Sequence, residues 1–371
     1  MKSELRVLYI GAVECSRHCL LEVLKCGFTP VAVFCLPPER AGLHSDYADL
    51  SGVAAANGIP HHWVEDVNAS ENADLIASYA PDVIFVWGWS RIVREHVLKI
   101  PRLGCIGLHP ALLPANRGRH PIVWAILLGL KSAGLTFFWM DAGADSGDIL
   151  AQQRIDLGPD EDARSLYDKV KLAASDLIPQ FLPRLADGTA PRLPQDHSRA
   201  NTWRKRGKGD GAIDFRMSAA TIARLVRALT RPYVGAHVVL GEREAKVWRA
   251  KALPLPEEYR VCEFGRVVAL HGREITIRAG DDMVKGVVIT SSPARTPEAM
   301  SAECKVVVPF TCAIANFVPI FSANAFSKRP RKPGFLEFEK SDESNSSTYY
   351  RSKSPILLMV PDIRPHATMQ T

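Results

Sequence analysis

The sequence predicts an α/β protein, in which a Rossmann-like domain with a mostly parallel sheet precedes a small C-terminal β-barrel-like domain and a poorly ordered tail. Short apolar runs alternate with helical periodicity over residues 5–186, which is typical of repeated βαβ units. Short runs separated by turn residues follow in residues 203–293, as in small barrels. Residues 294–371 have no sustained period. A chain of 371 residues is long enough for two or three domains.

The strands and helices of the first domain, residues 1–186, are predicted from the spacing of apolar residues along the sequence. Runs rich in Val, Ile and Phe predict strands over 5–11, 30–34, 82–86, 105–108 and 134–140. Apolar residues spaced three and four apart predict helices over 17–25, 47–57, 70–79, 121–130 and 165–186. Residues 187–202 form a polar, proline-containing stretch, which predicts a linker.

The second domain, residues 203–293, is predicted to contain one helix over 218–229 and strands over 235–240, 246–250, 265–270 and 274–278. The irregular tail, residues 294–371, has scattered prolines and a Ser/Asn cluster, which indicates disorder. Within it, residues 306–326 form an apolar run of membrane-spanning length. Because two prolines and two asparagines interrupt this run, we expect no membrane insertion.

Composition and short motifs argue against several classes of protein. A net charge of +6 is compatible with an anionic ligand but does not by itself indicate nucleic acid. The eight cysteines include no C-x-x-C pair, so we expect no metal site and a reducing cytoplasm. Gly11 and Glu14 interrupt the first apolar run, which argues against a signal peptide. The turn GAVECS lacks the dinucleotide pattern G-x-G-x-x-G, and Ser16 is expected to cap the next helix or contact a phosphate.

Two polar residues follow predicted strands of the first domain. His109 comes just after the strand over 105–108, and Asp145 lies in the loop after the strand over 134–140. Open parallel sheets collect such residues in one crevice at the carboxyl ends of the strands. A histidine that titrates near neutrality, oriented by a carboxylate, is suited to moving protons. The residues alone leave a structural hydrogen-bonding role for His109 open.

The segments around these two residues resemble a known family. HPALLPANRG (109–118) and DAGADSGDIL (141–150) resemble the signature of the formyltransferases that use N10-formyltetrahydrofolate. The resemblance covers most of residues 5–290, including PDVIFVWGWSRIV in the first domain and NTWRKRGKGDGAIDF and RALTRPYVGAH at and after the linker. It implies an enzyme that transfers a formyl group from N10-formyltetrahydrofolate, as cosubstrate, to a primary amine without a metal.

The resemblance also implies an active site of Asn, His and Asp. His109 and Asp145 match the family's His and Asp, whereas the position of the Asn, two residues before the His, is Gly107. In the family the Asn amide is taken to hydrogen-bond the formyl oxygen as it becomes an oxyanion. The candidates for oxyanion support here are Asn116, His120 and a backbone N–H near Gly107. The alternative is that Gly107 only suits a crowded strand end.

The family's pterin pocket lies between two loops, and its usual contacts are backbone groups. In this chain the resemblance assigns to cofactor binding Trp87, Gly88, Trp89 and Ile92 on one side, and Met140, Asp141, Ala142, Gly143 and Ala144 on the other. Trp87 and Trp89 are equally compatible with core aromatic residues.

The acceptor amine is inferred from the loop LPPERAGLHSDYADL (36–50). It contains one Arg, three acids and no Lys, which makes it a poor clamp for an RNA backbone. A nucleotide-linked amino sugar, as in bacterial surface polysaccharide synthesis, is therefore the preferred small-molecule acceptor. Methionyl-tRNA is the alternative acceptor, because the second domain resembles the C-terminal domain of the enzymes that act on tRNA. A basic cluster is also compatible with contacts to an RNA backbone, although its linker position indicates a solvated charge run: Arg204, Lys205, Arg206 and Lys208.

A non-catalytic folate- or nucleotide-binding protein is a third possibility, motivated by Gly107 and by the unusual tail. We expect no DNA partner and no membrane partner, and a homodimer stays open.

Overall fold

The computed structural model describes residues 5–240, 243–271, 274–290, 349–351 and 357–359. Two short strands, Tyr349–Arg351 and Leu357–Met359, pair antiparallel. The rest of the predicted disordered tail, residues 294–371, lies outside the described residues, as does the apolar run over 306–326. No helix in the described ranges is both long enough and apolar enough to cross a membrane.

The first part of the chain alternates strands and helices. Its strands are β1 (Val7–Gly11), β2 (Ala32–Cys35), β3 (His61–Trp63), β4 (Val83–Val86), β5 (Gly104–His109), β6 (Arg117–Gly118), β7 (Ser132–Trp139), β8 (Ile149–Asp156) and β9 (Thr202–Trp203). Its helices are α1 (Glu14–Lys25), α2 (Ser51–Ala56), α3 (Ser70–Ser78), α4 (Glu95–Leu98), α5 (Pro121–Leu127) and α6 (Ala163–Asp187).

Seven of these strands form one sheet in the order β3-β2-β1-β4-β5-β7-β8. The first five run parallel, whereas β7 is antiparallel to β5 and β8 is antiparallel to β7. The predicted mostly parallel sheet is confirmed. The assumption that the strands before His109 and Asp145 end at the same edge is wrong, because Thr136 of β7 faces His109 and Trp139 faces Ile106.

Both faces of the parallel strands β1, β2 and β4 are buried, which explains why they appear in the sequence as continuous apolar runs. Along β1, Val7 and Tyr9 belong to the larger core with α1, α5 and α6. Leu8 and Ile10 face a smaller core with α3 and α4. Strands β3 and β8 were not predicted, since β3 is only three residues long and β8 is an edge strand with polar residues at its centre.

Helix α2 is shorter than the predicted helix over 47–57. The Asp49 carboxylate accepts hydrogen bonds from the Ser51 backbone N–H at 2.9 Å and from its hydroxyl at 2.8 Å, so the helix starts at Ser51. Tyr47 instead forms an isolated antiparallel bridge with Val13. The segment before α2 is therefore tied to the first turn of the sheet rather than to the helix.

The second part contains α7 (Ala219–Leu229) and the strands β10 (Ala236–Leu240), β11 (Arg243–Leu253), β12 (Val267–His271), β13 (Glu274–Arg278) and β14 (Met283–Thr290). The strands form an antiparallel sheet in the order β10-β11-β14-β13-β12. This confirms the predicted small β domain, although β10 and β12 are not paired with each other in the described residues. Leu225, Val226 and Leu229 of α7 join the larger core of the first domain.

Candidate active site

His109 and Asp145 lie beside each other, as predicted. His109 is the last residue of β5 and is 4% exposed. Its Nδ1 lies 3.7 Å from Asp145 Oδ2. Since β7 runs antiparallel to β5, the loop over 140–148 has to fold back toward the carboxyl end of β5 to bring Asp145 there. The return of this loop, and not a shared strand edge, assembles the pair.

A backbone contact fixes the proton on the His109 ring. Nε2 lies 2.7 Å from the carbonyl oxygen of Asn116. Because a carbonyl only accepts hydrogen bonds, Nε2 carries the hydrogen and donates it. In the neutral ring Nδ1 then has a free lone pair, and this is the atom that faces Asp145. His109 is therefore arranged to accept a proton at Nδ1 with a carboxylate beside the resulting cation.

Asp145 is held by its backbone as well as by its side chain. Its φ is +55°, a left-handed conformation that Asp tolerates better than most residues. Its Oδ2 accepts a hydrogen bond from the Gly118 N–H at 2.8 Å. The Gln195 amide donates to the carbonyl oxygens of Asp145 at 2.9 Å and Gly147 at 2.7 Å. Gly118 thus holds the carboxylate itself, and Gln195 holds the backbone that carries it.

Gln195 lies in the predicted linker, and the structure gives this stretch a role that the sequence did not reveal. Gln195 is 6% exposed, and its Oε1 accepts from the buried Arg117 guanidinium at 2.6 and 3.2 Å. Arg117 also donates to His197 Nδ1 at 3.1 Å. Strand β9 pairs with β6, next to these residues. The linker therefore supports the loop that carries Asp145 through hydrogen bonds, and sequence periodicity gives no signal for such contacts.

We predict that Gln195→Ala lowers the free energy of unfolding by about 2 kcal/mol, because it removes the hydrogen bonds to the Asp145 and Gly147 carbonyls and leaves the buried Arg117 guanidinium with its contact to His197. Urea denaturation measures the change. The matched control is Gln180→Ala: this exposed amide donates only to the Asp176 carbonyl of its own helix, so the change should stay within about 0.5 kcal/mol. Equal stability of the Gln195→Ala protein and the unmodified chain would contradict a supporting role for the linker.

Gly107 lies inside the sheet, paired with Val86 of β4 and with Phe138 of β7. A Cβ at this position would lie 2.7 Å from Cε1 and Cζ of the Phe138 ring and 3.1 Å from Cγ of Met140. Gly107 and His109 project from the same face of β5, since side chains alternate along a strand. The space beside His109 is therefore filled by an aromatic ring from the neighbouring strand.

The other two predicted oxyanion residues have left-handed backbones, with φ of +66° at Asn116 and +58° at His120. Asn116 Oδ1 accepts from the Asn201 amide at 3.2 Å, which engages the oxygen of this side chain and not its amide N–H groups. His120 precedes the first residue of α5, and its Nε2 is buried without a hydrogen-bond partner in the described structure. Burial lowers the pKa of its imidazole most, and the nearby Arg119 and Arg206 lower it further. His120 is therefore neutral at pH 7.

The first predicted cofactor loop contributes core residues as well as exposed ones. The Trp87 ring is fully buried and stacks on Phe85 at 4.4 Å, so its side chain belongs to the core. Trp89 is half-buried, and its Nε1 has no hydrogen-bond partner among the described groups. Gly88 has a φ of +71°. Ile92 is 80% exposed.

The second predicted cofactor loop is a polar turn. Met140 packs on the smaller core, and Asp141, Ala142, Gly143 and Ala144 are exposed. Asp141 Oδ1 accepts from the Gly143 N–H at 3.0 Å and from the Ser146 hydroxyl at 2.8 Å. The turn leaves the backbone at the mouth of the site accessible. Ligand binding by either loop stays a prediction.

A cleft of about 470 Å³ adjoins His120. It is lined by His44, Ser45, Asp46, Ser90, Arg91, Arg119, His120, Lys205 and Tyr233. Arg119 donates to the Ser90 carbonyl at 2.7 Å. None of the three cations of this lining forms an ion pair with a described carboxylate, while Asp46 is the acid of the lining. The cleft therefore favours anions.

Three residues of the basic cluster, Arg204, Arg206 and Lys208, have partners outside the cleft. Arg204 pairs with Asp210 at 2.8 Å, and Lys208 pairs with Glu244 at 2.8 Å. Arg206 lies over the Trp124 ring, 4.8 Å from its centroid. Only Lys205 of the four lines the cleft. Arg204, Lys205 and Lys208 are exposed, as expected for a solvated charge run, whereas Arg206 is half-buried.

Sequence comparisons place the chain among known enzymes. A formyl transferase model matches residues 7–182, and a formyl transferase C-terminal domain model matches residues 206–302. The methionyl-tRNA formyltransferase of Agathobacter rectalis is 31% identical over 257 residues, which cover 69% of this chain and 83% of that protein. The one from Geobacter metallireducens is 34% identical over 247 residues, covering 66% and 79%.

Solved structures share the fold at lower identity. An N-formyltransferase from Helicobacter canadensis, solved with folinic acid and dTDP-3-aminofucose, has a TM-score of 0.57 at 17% identity, covering 77% of this chain and all of that one. The sugar 3N-formyl transferase WlaRD has a TM-score of 0.56 at 15% identity, covering 78% and 99%. With both domain models matched in order and a relative above 30% identity over most of its length, this chain belongs to the formyl transferase family.

Proposed function

We propose that this protein transfers the formyl group of N10-formyltetrahydrofolate to the primary amine of a nucleotide-linked amino sugar. The observation that carries the proposal is the His109–Asp145 pair, with Nδ1 3.7 Å from the carboxylate. The loop over 116–120 contacts both residues, and its members Arg119 and His120 line a cleft that favours anions. This arrangement combines a base, a group that stabilises its charged form, and a neighbouring binding site for phosphate.

The residues around the pair fit a pterin between the two loops. The exposed turn at Asp141–Ala144 presents backbone N–H and C=O groups, which match the donors and acceptors of a pterin edge. Trp89 adds a buried ring N–H without a partner in the described residues. When bound, the folate supplies the activated one-carbon group.

The reaction needs one proton to move between two nitrogens. The neutral amine attacks the formyl carbon, a C–N bond forms, and the carbonyl electron pair moves to oxygen. Nδ1 of His109 accepts the proton that the attacking nitrogen loses, and Asp145 stabilises the imidazolium. The proton then passes to N10 as the C–N10 bond breaks and the carbonyl reforms. The products are a formamide and tetrahydrofolate, so atoms and charge balance.

The cleft supports a phosphorylated acceptor. Arg91, Arg119 and Lys205 together suit a diphosphate, which is strongly attracted to cations in a concave site. Arg40, in the loop over 36–50, pairs with Glu65 at 2.8 Å, so this loop offers no unpaired Arg to RNA. Methionyl-tRNA is the second candidate, and the observation that favours it is the 31–34% identity to enzymes named for it.

An acceptor panel tests the proposal. The protein is incubated with N10-formyltetrahydrofolate and either nucleotide-linked amino sugars or charged initiator tRNA, and release of tetrahydrofolate is followed. Formylation of a sugar is the expected result. Formylation of tRNA alone would replace the acceptor, and folate binding without turnover of any amine would indicate a binding protein instead of an enzyme.

We predict that Lys205→Gln raises KM for the nucleotide-linked acceptor by about tenfold, with little change in kcat, because one charge-assisted contact to phosphate is lost. Lys208→Gln is the matched control, since Lys208 belongs to the same basic cluster but pairs with Glu244 outside the cleft. Steady-state kinetics with the sugar substrate measures both. An equal KM for the two variants would remove the cleft from acceptor binding.

A further inference from the structure

We infer that His120 donates a hydrogen bond from Nε2 to the oxygen that becomes negatively charged when the amine attacks the formyl carbon. This inference rests on the proposed function and assigns a donor to the oxyanion. Attack on a carbonyl places charge on oxygen, and one well-placed donor contributes about a hundred- to a thousandfold in rate.

The residue beside His109 on β5 cannot supply this donor. Gly107 has no side chain, and a Cβ there would lie 2.7 Å from the Phe138 ring. The ring cannot move toward the sheet, because Phe138 pairs directly with Gly107. His109 Nε2 already donates to the Asn116 carbonyl, so a further side-chain donor has to come from a segment other than β5.

The loop over 116–120 contacts both members of the pair. The Asn116 carbonyl accepts the hydrogen bond of His109, and the Gly118 N–H donates to Asp145. His120 follows two residues later and lines the adjoining cleft. The loop that contacts the pair thus also lines the cleft proposed for the acceptor.

His120 itself is placed for a ligand. A left-handed backbone, with φ of 58° and ψ of 45°, is unfavourable for a histidine and is retained here at the start of α5. Its Nε2 is buried without a partner in the described part of the chain. With the hydrogen on Nε2, this unpaired donor is unfavourable in the free protein and becomes favourable when an acceptor arrives.

A neutral imidazole suits this role. The pKa of His120 is lowered by burial and then by Arg119, so the ring is neutral at pH 7 and has one N–H to donate. It gives up no proton in the reaction: the hydrogen bond strengthens as the oxyanion forms and weakens when the carbonyl of the formamide is restored. Proton transfer stays with His109.

The test removes the ring without straining the backbone. Glycine accepts a positive φ and is tolerated before a helix, so His120→Gly deletes only the side chain. We expect kcat to fall by about a hundredfold, while KM for both substrates changes by less than about threefold and the urea midpoint is retained. A structural role would instead alter KM and stability together.

A rescue variant provides the matched control. In the His120→Gly background, Gly107→Asn together with Phe138→Leu introduces an amide beside His109 and removes the ring that blocks it. We expect at least a tenfold recovery of kcat, since the new amide replaces the lost donor. Gly107→Asn alone should not recover activity, because the Phe138 ring occupies the space.

A readout independent of turnover uses nitrogen NMR of histidine-labelled protein. Binding of 5-formyltetrahydrofolate should shift the Nε2 resonance of His120, assigned by its loss in His120→Gly. An unchanged resonance on a saturated protein, or a kcat of His120→Gly within about threefold of the unmodified chain, would overturn the role of His120 alone. Absence of turnover by the unmodified chain with every amine would overturn the proposed function as well.

Discussion

Replacing His109 by glutamine should lower kcat by about a thousandfold, the usual contribution of a positioned general base. Glutamine is the informative choice because its amide nitrogen reaches about as far as Nε2 and can still donate to the Asn116 carbonyl, now bound at 2.7 Å. The loop stays in place while the lone pair of Nδ1 is lost. The expected decrease therefore reports on proton transfer, measured as kcat at saturating donor and acceptor.

Two further measurements separate chemistry from folding. Urea denaturation of the His109→Gln protein should agree with that of the unmodified chain within about 1 kcal/mol. His62→Gln is the control. His62 forms a hydrogen bond of 2.8 Å with the hydroxyl of Tyr79, which packs against the smaller core, so this substitution should leave kcat unchanged. If the His109→Gln protein kept most of its kcat, His109 would not be the base.

Asp145→Asn should lower kcat by about a hundredfold or more, since the imidazolium formed at His109 loses the charge that stabilises it. Asparagine tolerates the left-handed backbone of this position and can still accept from the Gly118 N–H. The substitution therefore removes a charge and leaves the geometry in place. Asp145→Ala should reduce stability further, because alanine is strained at a φ of +55°.

The matched control for this charge is Asp156→Asn. Asp156 ends β8, is exposed, and pairs only locally with Arg154 at 2.8 Å, so neither kcat nor KM should change. Single-turnover kinetics with saturating folate measures the chemical step directly. A kcat near that of the unmodified chain in Asp145→Asn would mean that the carboxylate positions the loop without taking part in the reaction.

Strands β1, β2 and β4 were predictable because each is buried on both faces and leaves a continuous apolar run in the sequence. The same signal is weak for β8, an edge strand whose centre carries Gln152, Gln153 and Arg154. A continuous apolar run also carries no information on whether a strand is parallel or antiparallel to its neighbour. Strand β7 has the composition of a parallel strand but runs antiparallel to β5, which reverses the expected position of the loop that carries Asp145.

The sequence by itself determined the fold class, the family resemblance, the match of His109 and Asp145 to the family's motifs, and the glycine at position 107. These follow from local composition and from contiguous motifs. Only the tertiary structure decided that Phe138 fills the space above Gly107, that Gln195 in the linker holds the Asp145 loop, and that His120 has a buried ring nitrogen without a partner in the described residues. Each of these depends on contacts between segments distant in the chain, for which neither periodicity nor spacing provides a signal.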